Sequence, residues 1–237
     1  MIRKRNRVAV VLARKDSKRI KNKINCKLYN KSLCQYETLV ERKIRQLSEV
    51  DCLDKIILGT DDKDLKLIAK HYNNCELILR QSNYCDDNSK TMNDIVKNIL
   101  TYFESDVVLW ANPTTPFIET KHYFDALHMF DLLDSNNDSV ASVSKSNNHY
   151  FDSDGAINFN LYTDEWCNNE ETIPLFGLNN GIFVRDYNDM KRDGNLLGKS
   201  PRLLETSMIE SINITEQYEY EIAKLISEHD SILKHSK

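Results

Sequence analysis

Apolar and polar positions follow two rhythms along this chain. Short apolar runs rich in β-branched residues recur at 8–12, 55–58, 76–79, 106–110 and 139–144, and predict buried strands. Between the runs, apolar residues return every third or fourth position, the spacing of one helix face. Tyr36, Leu39, Val40, Ile44 and Leu47 predict a helix over 35–48. Leu65, Ile68, Ala69 and Tyr72 predict a second, and Met92, Ile95, Val96, Ile99, Leu100 and Phe103 a third. Tyr123, Leu127 and Phe130 predict a helix over 121–133, and Tyr218, Ile222, Leu225 and Ile226 the last one. Strand and helix alternate, which implies an α/β fold: a mainly parallel sheet in three layers with right-handed crossovers. The alternation breaks once. Asp154-Gly155 between 149–151 and 156–159 is a hairpin signal, and 147–175 reads as an insertion forming a lid or a dimer contact.

At 237 residues and 41% apolar content, one domain over 1–237 is expected. No stretch approaches the roughly 20 apolar residues of a membrane span, and the apolar run behind the basic first residues is too short for a signal peptide. A soluble, cytoplasmic protein is the expectation. The six cysteines form no C-x-x-C pair and the six histidines show no ligand spacing, so neither a zinc site nor a disulfide frame is expected.

Charge changes the picture at one end. Residues 1–27 carry eleven lysines and arginines against Asp16, a local balance of +10 in a chain of net −4, so the remainder carries −14. An acidic body with one basic loop does not suit a nucleic-acid face, and suits a compact anion. The loop follows the first strand and presents Arg14, Lys15, Lys18, Arg19, Lys21 and Lys23. It holds no glycine, which excludes a P-loop and a dinucleotide fingerprint; guanidinium, ammonium and turn N–H groups would hold phosphate instead. From charge alone, a solvated basic terminus or a nucleic-acid patch stays open. A second candidate is the stiff turn Asn112-Pro113-Thr114-Thr115-Pro116, placed after the fourth strand, where α/β sheets bind ligands. Asp61 or Asp62 is positioned to cap the helix after the second strand, Arg80 ends the third, and Thr215 can cap the last helix.

The segment Leu12-Ala13-Arg14-Lys15-Asp16-Ser17-Lys18-Arg19-Ile20, followed by Lys23, resembles the opening A-R-x-x-S-K-R/G-[IL] and Lys of acylneuraminate cytidylyltransferases. These are the CMP-sialic acid synthetases and, more distantly, the CMP-Kdo synthetases. Gly59-Thr60-Asp61-Asp62 is similar to the family's S-T-D-[DGN], and Arg80-Gln81 to its Arg-Pro. The 112–118 turn is similar to Q-P-T-S-P-L-R, with Asn112, Thr115 and Phe117-Ile118 as departures. The 174–183 segment is similar to A-F/Y-R-x-N-G-A-I-Y, with Gly177 and Asn180-Gly181 as departures. The 210–216 segment is similar to [DE]-S-[VI]-D-I-D-T-E, with Asn213 and Thr215 in place of the two aspartates.

The resemblance implies a nucleotide-diphospho-sugar transferase-like, Rossmann-like fold and transfer of CMP from CTP to an acidic sugar with release of pyrophosphate. It implies catalytic roles for Arg14, Lys18 and Lys23. Nucleotide binding falls to Leu12, Ala13, Arg14, Ser17, Lys23, Asn25 and Arg80, where Asn25 stands one place beyond the family's Lys-Asn. Acceptor binding falls to Asn112, Thr114, Thr115 and Asn179. It further implies a homodimer built through the insertion and Mg²⁺ brought with the nucleotide, with Asp61 or Glu210 as replacement ligands for the missing aspartates. Mg²⁺ favours hard anionic oxygens, which an amide or a hydroxyl replaces poorly. Three readings stay open at this point: an active cytidylyltransferase with an altered acceptor, a catalytically weakened nucleotide-binding homologue, and a nucleic-acid binder.

Overall fold

The computed structural model describes residues 5–85, 89–161 and 167–229. Asp86, Asp87 and Asn88 of the polar loop before the third helix lie outside the described residues, as do 162–166 of the insertion and Arg3 and Lys4 of the basic terminus. In order, the chain forms β1 (Arg7–Ala13), a 3-10 turn (Lys23–Asn25), β2 (Lys27–Asn30), β3 (Gln35–Thr38), α1 (Leu39–Ser48) and β4 (Lys55–Thr60). It continues with α2 (Lys66–His71), β5 (Cys75–Leu79), α3 (Met92–Ile99), β6 (Val107–Ala111), α4 (Thr120–Asp131) and β7 (Ser139–Ser146). The last part holds β8 (Phe151–Asp152), β9 (Gly155–Ala156), β10 (Leu175–Asp186), α5 (Tyr187–Asp193), β11 (Pro201–Thr206) and α6 (Gln217–Glu228).

Seven strands make the central sheet, in the order β11-β7-β10-β6-β1-β4-β5. β1 pairs in parallel with β4 and β6, β4 with β5, and β7 with β11, while β10 runs antiparallel between β6 and β7. The apolar runs read as strands are all in this sheet, and alternate residues face opposite layers as the pleat requires. Ala9, Val11 and Ala13 face the layer built by α1, α2 and α4, whose Val40, Ile44, Leu47, Ala69, Tyr123 and Leu127 share one core. Val8 and Val10 face the layer of α3 and α5, with Val96, Ile99, Trp110 and Met190. A third core joins α6 (Ala223, Ile226) to Ile20, Leu28, Leu39, Phe117 and Ile214.

Three expectations are corrected, and the alternative of Asp61 or Asp62 as a cap is resolved. Residues 35–38 are not helical: they pair with β2 as a hairpin, Tyr29 opposite Tyr36 with ring centroids 5.3 Å apart. The helix begins at Leu39 because Thr38 and Glu41 form a capping box, worth about 1 kcal/mol. The β8–β9 hairpin turns at Ser153-Asp154 rather than Asp154-Gly155, since Gly155 is already paired with Asp152. Asp62, not Asp61, receives the N–H of Asp64 at the start of the segment leading into α2. The N-cap of α6 is Glu216, not Thr215, because the carboxylate of Glu219 receives the N–H groups of both Thr215 and Glu216.

Candidate active site

β1 and β5 end at the same edge of the sheet, and the sequence after each supplies a cation. The loop leaving β1 is tied down at once: the Lys15 N–H donates to Asp61 Oδ1 at 2.8 Å, and its ammonium lies 3.9 Å from Asp62. Asp61 therefore shapes the loop from the end of β4. Further on, Asn22 takes a left-handed conformation (φ 53°) and opens the short turn that carries Lys23. Lys23 Nζ donates to the Ile214 carbonyl at 3.2 Å. Burial, then the guanidinium groups of Arg19 and Arg14, hold the Lys23 ammonium below its ordinary range. An arriving anion would reverse that shift.

Arg80 reaches the same place by crossing β4 at a glycine. A Cβ on Gly59 would lie 3.0 Å from Arg80 Cδ and 2.7 Å from Leu12 Cδ2, so a larger residue there would push both side chains aside. The Arg80 N–H donates to the Thr60 carbonyl at 2.7 Å, its guanidinium donates to the Tyr84 carbonyl, and its buried Nε has no hydrogen-bond partner among the described residues.

The opposite wall is the turn after β6. Trp110 Nε1 donates to Asn112 Oδ1 at 3.2 Å, which fixes the amide so that Asn112 Nδ2 donates to the Asn180 carbonyl at 2.6 Å. Asn180 itself has φ 60° within a register shift of β10, a bulge that carries this carbonyl to the end of β6.

These walls enclose a cleft of about 220 Å³. The structure brings together seven residues named from the sequence: Leu12, Arg14, Ser17, Lys23, Arg80, Asn112 and Thr114. Tyr84, Cys85, Met92, Ile95 and Trp110 also line it. Met92, Ile95 and Trp110 were legible only as apolar positions of a helix and a strand; Tyr84 and Cys85 carried no signal.

Other named residues are placed elsewhere. Ala13 is buried in the core beneath the loop, while Lys18 and Asn25 are exposed and do not line the cleft. Thr115 is fully buried and its hydroxyl donates to the Asn112 carbonyl at 2.9 Å, which corrects the expectation of acceptor contact. Asn179 is corrected in the same way. Its Oδ1 accepts from the Ser142 hydroxyl and the Gly181 N–H at 2.5 and 3.0 Å, and its Nδ2 donates to Thr206 and Ser211 at 2.8 and 3.1 Å. That amide is fully used in joining β7, β10 and β11.

Among the described residues, the side chains named for a divalent ion are engaged elsewhere or are neutral. The Thr215 hydroxyl donates to Glu219 at 2.6 Å, and Asn213 offers one buried, neutral oxygen, while the Lys23 ammonium sits against the peptide between them. Asp61 accepts from the loop, and Glu210 accepts from the Ser207 N–H at 2.7 Å and lies 3.2 Å from His122, outside the cleft lining. Among the described residues no three His, Cys, Asp or Glu side chains gather as a metal site.

Chemically, the cleft sets three cations on one side and a mostly apolar shelf of Met92, Ile95 and Trp110 on another. Such a site suits a polyanion attached to a flat ring, the cations meeting the charge and the shelf meeting the ring.

Comparison with known proteins identifies the fold and the family. Among solved structures, 4-diphosphocytidyl-2C-methyl-D-erythritol synthase from Anaerococcus prevotii shares the fold at TM-score 0.65 and 15% identity, over 95% of this chain and 97% of that one. CMP:2-keto-3-deoxy-manno-octonic acid synthetase, solved with CTP, shares it at TM-score 0.57 and 12% identity, over 85% and 90%. Among characterised proteins, N-acylneuraminate cytidylyltransferase of Escherichia coli O18:K1:H7 is 22% identical over 93% of this chain, which spans 52% of that protein's length. CMP-N,N'-diacetyllegionaminic acid synthase of Legionella pneumophila is 23% identical, over 93% of this chain and 96% of that one. The cytidylyltransferase family model matches residues 8–180, a span that holds every residue lining the cleft, and the chain belongs to that family.

Proposed function

We propose that this protein transfers CMP from CTP to an acidic sugar, a nine-carbon or eight-carbon keto-sugar acid or a modified relative, and releases pyrophosphate. One observation carries the reading: Arg14, Ser17, Lys23 and Arg80 converge with Asn112 and Thr114 on a single cleft at the carboxyl ends of the parallel strands. In such a displacement negative charge moves toward the departing pyrophosphate, so fixed cations stabilise the transition state more than the ground state. Arg14 and Lys23 are assigned to the phosphates, with Ser17 donating a hydrogen bond. Arg80 and the shelf are assigned to the nucleoside, Asn112 and Thr114 to the acceptor. The relatives that act on sialic and legionaminic acids support the acceptor class.

A homodimer is part of the proposal. Phe151, Ile157, Leu161, Ile173, Phe176 and Leu178 are all exposed along the insertion and the start of β10, and this apolar surface is assigned to the contact between subunits. Sedimentation at micromolar concentration is expected to give twice the chain mass.

The direct test is release of pyrophosphate from CTP in the presence of N-acetylneuraminic acid, N,N'-diacetyllegionaminic acid or 2-keto-3-deoxy-manno-octonic acid, with and without Mg²⁺. Release that requires both CTP and one of these acids is the expected result. Absence of release with all three, in a folded protein, would contradict the proposed acceptor class.

A further inference from the structure

Helix α1 lies in the layer opposite α3 and its apolar shelf, yet two of its side chains, at 43 and 46 on one face, reach the turn that forms the cleft's second wall. Lys43 Nζ donates to the Thr115 carbonyl at 2.9 Å, and Gln46 Nε2 donates to the Pro116 carbonyl at 3.0 Å. The turn needs donors from outside. Pro113 and Pro116 contribute no N–H, and a buried carbonyl left unpaired costs about 1–3 kcal/mol. The start of the same helix holds the first wall, because the Leu39 N–H donates to the Cys26 carbonyl directly after the Lys23 turn at 3.0 Å. One helix thus fixes the distance between the phosphate-facing turn and the Asn112–Pro116 turn.

The choice of lysine is informative. Lys43 is wholly buried, and its other partner is the hydroxyl of Tyr123 on α4, itself fully buried. A methionine would fill similar volume without taking an amine out of water. Packing alone therefore gives no reason for a lysine; the Thr115 carbonyl gives one.

We propose that Lys43 is a positioning residue for the reaction, latching the Asn112–Pro116 turn to α1 so that Asn112 and Thr114 stand at a fixed separation from Arg14 and Lys23. The proposal rests on the assignment of the cleft to CTP and acceptor. Burial, then Arg42 and Arg45, holds the Lys43 ammonium well below the usual lysine range, and burial holds the Tyr123 hydroxyl well above the usual phenol range.

The test compares wild type, Lys43→Met and Gln46→Leu by amide hydrogen exchange and by kinetics with CTP and N,N'-diacetyllegionaminic acid. In Lys43→Met, the amides of Thr114, Thr115, Phe117 and Ile118 are expected to exchange about tenfold faster, while those of β1 and β4 are unchanged. The kcat is expected to fall about tenfold or more, with the KM for CTP within about threefold of wild type, since the loop that meets the phosphates is untouched. Unchanged exchange overturns the latch, whatever the kinetics. Faster exchange with unchanged kcat overturns the positioning role. If Lys43→Met does not fold, Gln46→Leu, which severs the neighbouring tie, is read by the same criteria. If wild type neither binds CTP nor turns over, the assignment of the cleft fails, and exchange alone decides whether the latch exists.

Discussion

Two polar regions face each other across the carboxyl edge of the sheet, and they use similar side chains differently. On the side of β1, Arg14, Ser17, Lys23 and Arg80 line open space. On the side of β10, Asn179, Ser142, Thr206 and Ser211 form a closed hydrogen-bonded cluster in which Asn179 makes four bonds. The 112–115 turn shows both behaviours within four residues: Thr114 lines the cleft, while Thr115 is sealed beneath it. A polar residue can recognise a ligand only with bonding capacity that the fold has not already used. We propose that the β1 side, whose cations line the cleft, is the binding wall, and that the β10 side, where the Asn179 amide is fully bonded, is its scaffold.

The comparison breaks most visibly at Asn179. Asn179→Ala leaves the Ser142 and Gly181 donors without their shared acceptor in a buried site, and is expected to cost about 3 kcal/mol of stability by urea denaturation. The CTP-induced rise in melting temperature should survive in the folded fraction. The reverse pattern is expected for Arg14→Ala: little change in stability, but a loss of CTP affinity of about 10- to 100-fold by calorimetry, the 1.5–3 kcal/mol of a charge-assisted hydrogen bond.

A smaller effect concerns pH. Lys43 binds a proton in the unfolded chain below about pH 10.4 but resists it when folded, because its folded pKa is depressed by burial and by Arg42 and Arg45. Between those two values the unfolded state holds more protons, so stability falls as pH is lowered and levels off below the folded pKa. Arg42 and Arg45 keep their charge throughout, and Tyr123 stays protonated when folded, acting in the opposite sense only above about pH 10. Urea midpoints at pH 7.5 and 9.5 should therefore differ less in Lys43→Met than in wild type. The smallest effect is expected at Lys18, exposed and outside the cleft: Lys18→Ala should change CTP affinity by about twofold at most.

What the sequence made legible follows the same division. The parallel strands were readable because buried runs such as Val107–Ala111 contain no polar interruption, and α3 because Met92, Ile95, Val96 and Ile99 keep helical phase. The β2–β3 hairpin was not readable. Its turn has Cys34, at φ 52°, where an Asn-Gly or Gly would have signalled it, and Tyr36 happens to fall in phase with the face of α1. In the site, Arg14 and Lys23 were legible from a charged loop after a buried strand together with the family resemblance, and Arg80 through that resemblance. Among neutral residues, Leu12, Ser17, Asn112 and Thr114 were named through the family resemblance, but nothing in Thr114-Thr115 says which hydroxyl is turned inward, and nothing in Asn179 says that four partners await it. Lys43 was invisible as a site residue because a lysine on an amphipathic helix is expected on the wet face. Tyr84 and Cys85 enter the cleft only through the way the segment after Arg80 folds back.

The central claim is that the β1 wall is a nucleotide site selective for cytidine, and thermal melting with CTP, UTP, ATP and GTP, each with and without Mg²⁺, tests it without any acceptor. A ligand at about 100 times its Kd adds about 2.7 kcal/mol, enough to displace the midpoint by several degrees. The account predicts that CTP stabilises the protein above the other three and that Arg14→Ala reduces the shift produced by CTP. Equal shifts with all four nucleotides, or none with any, would contradict it.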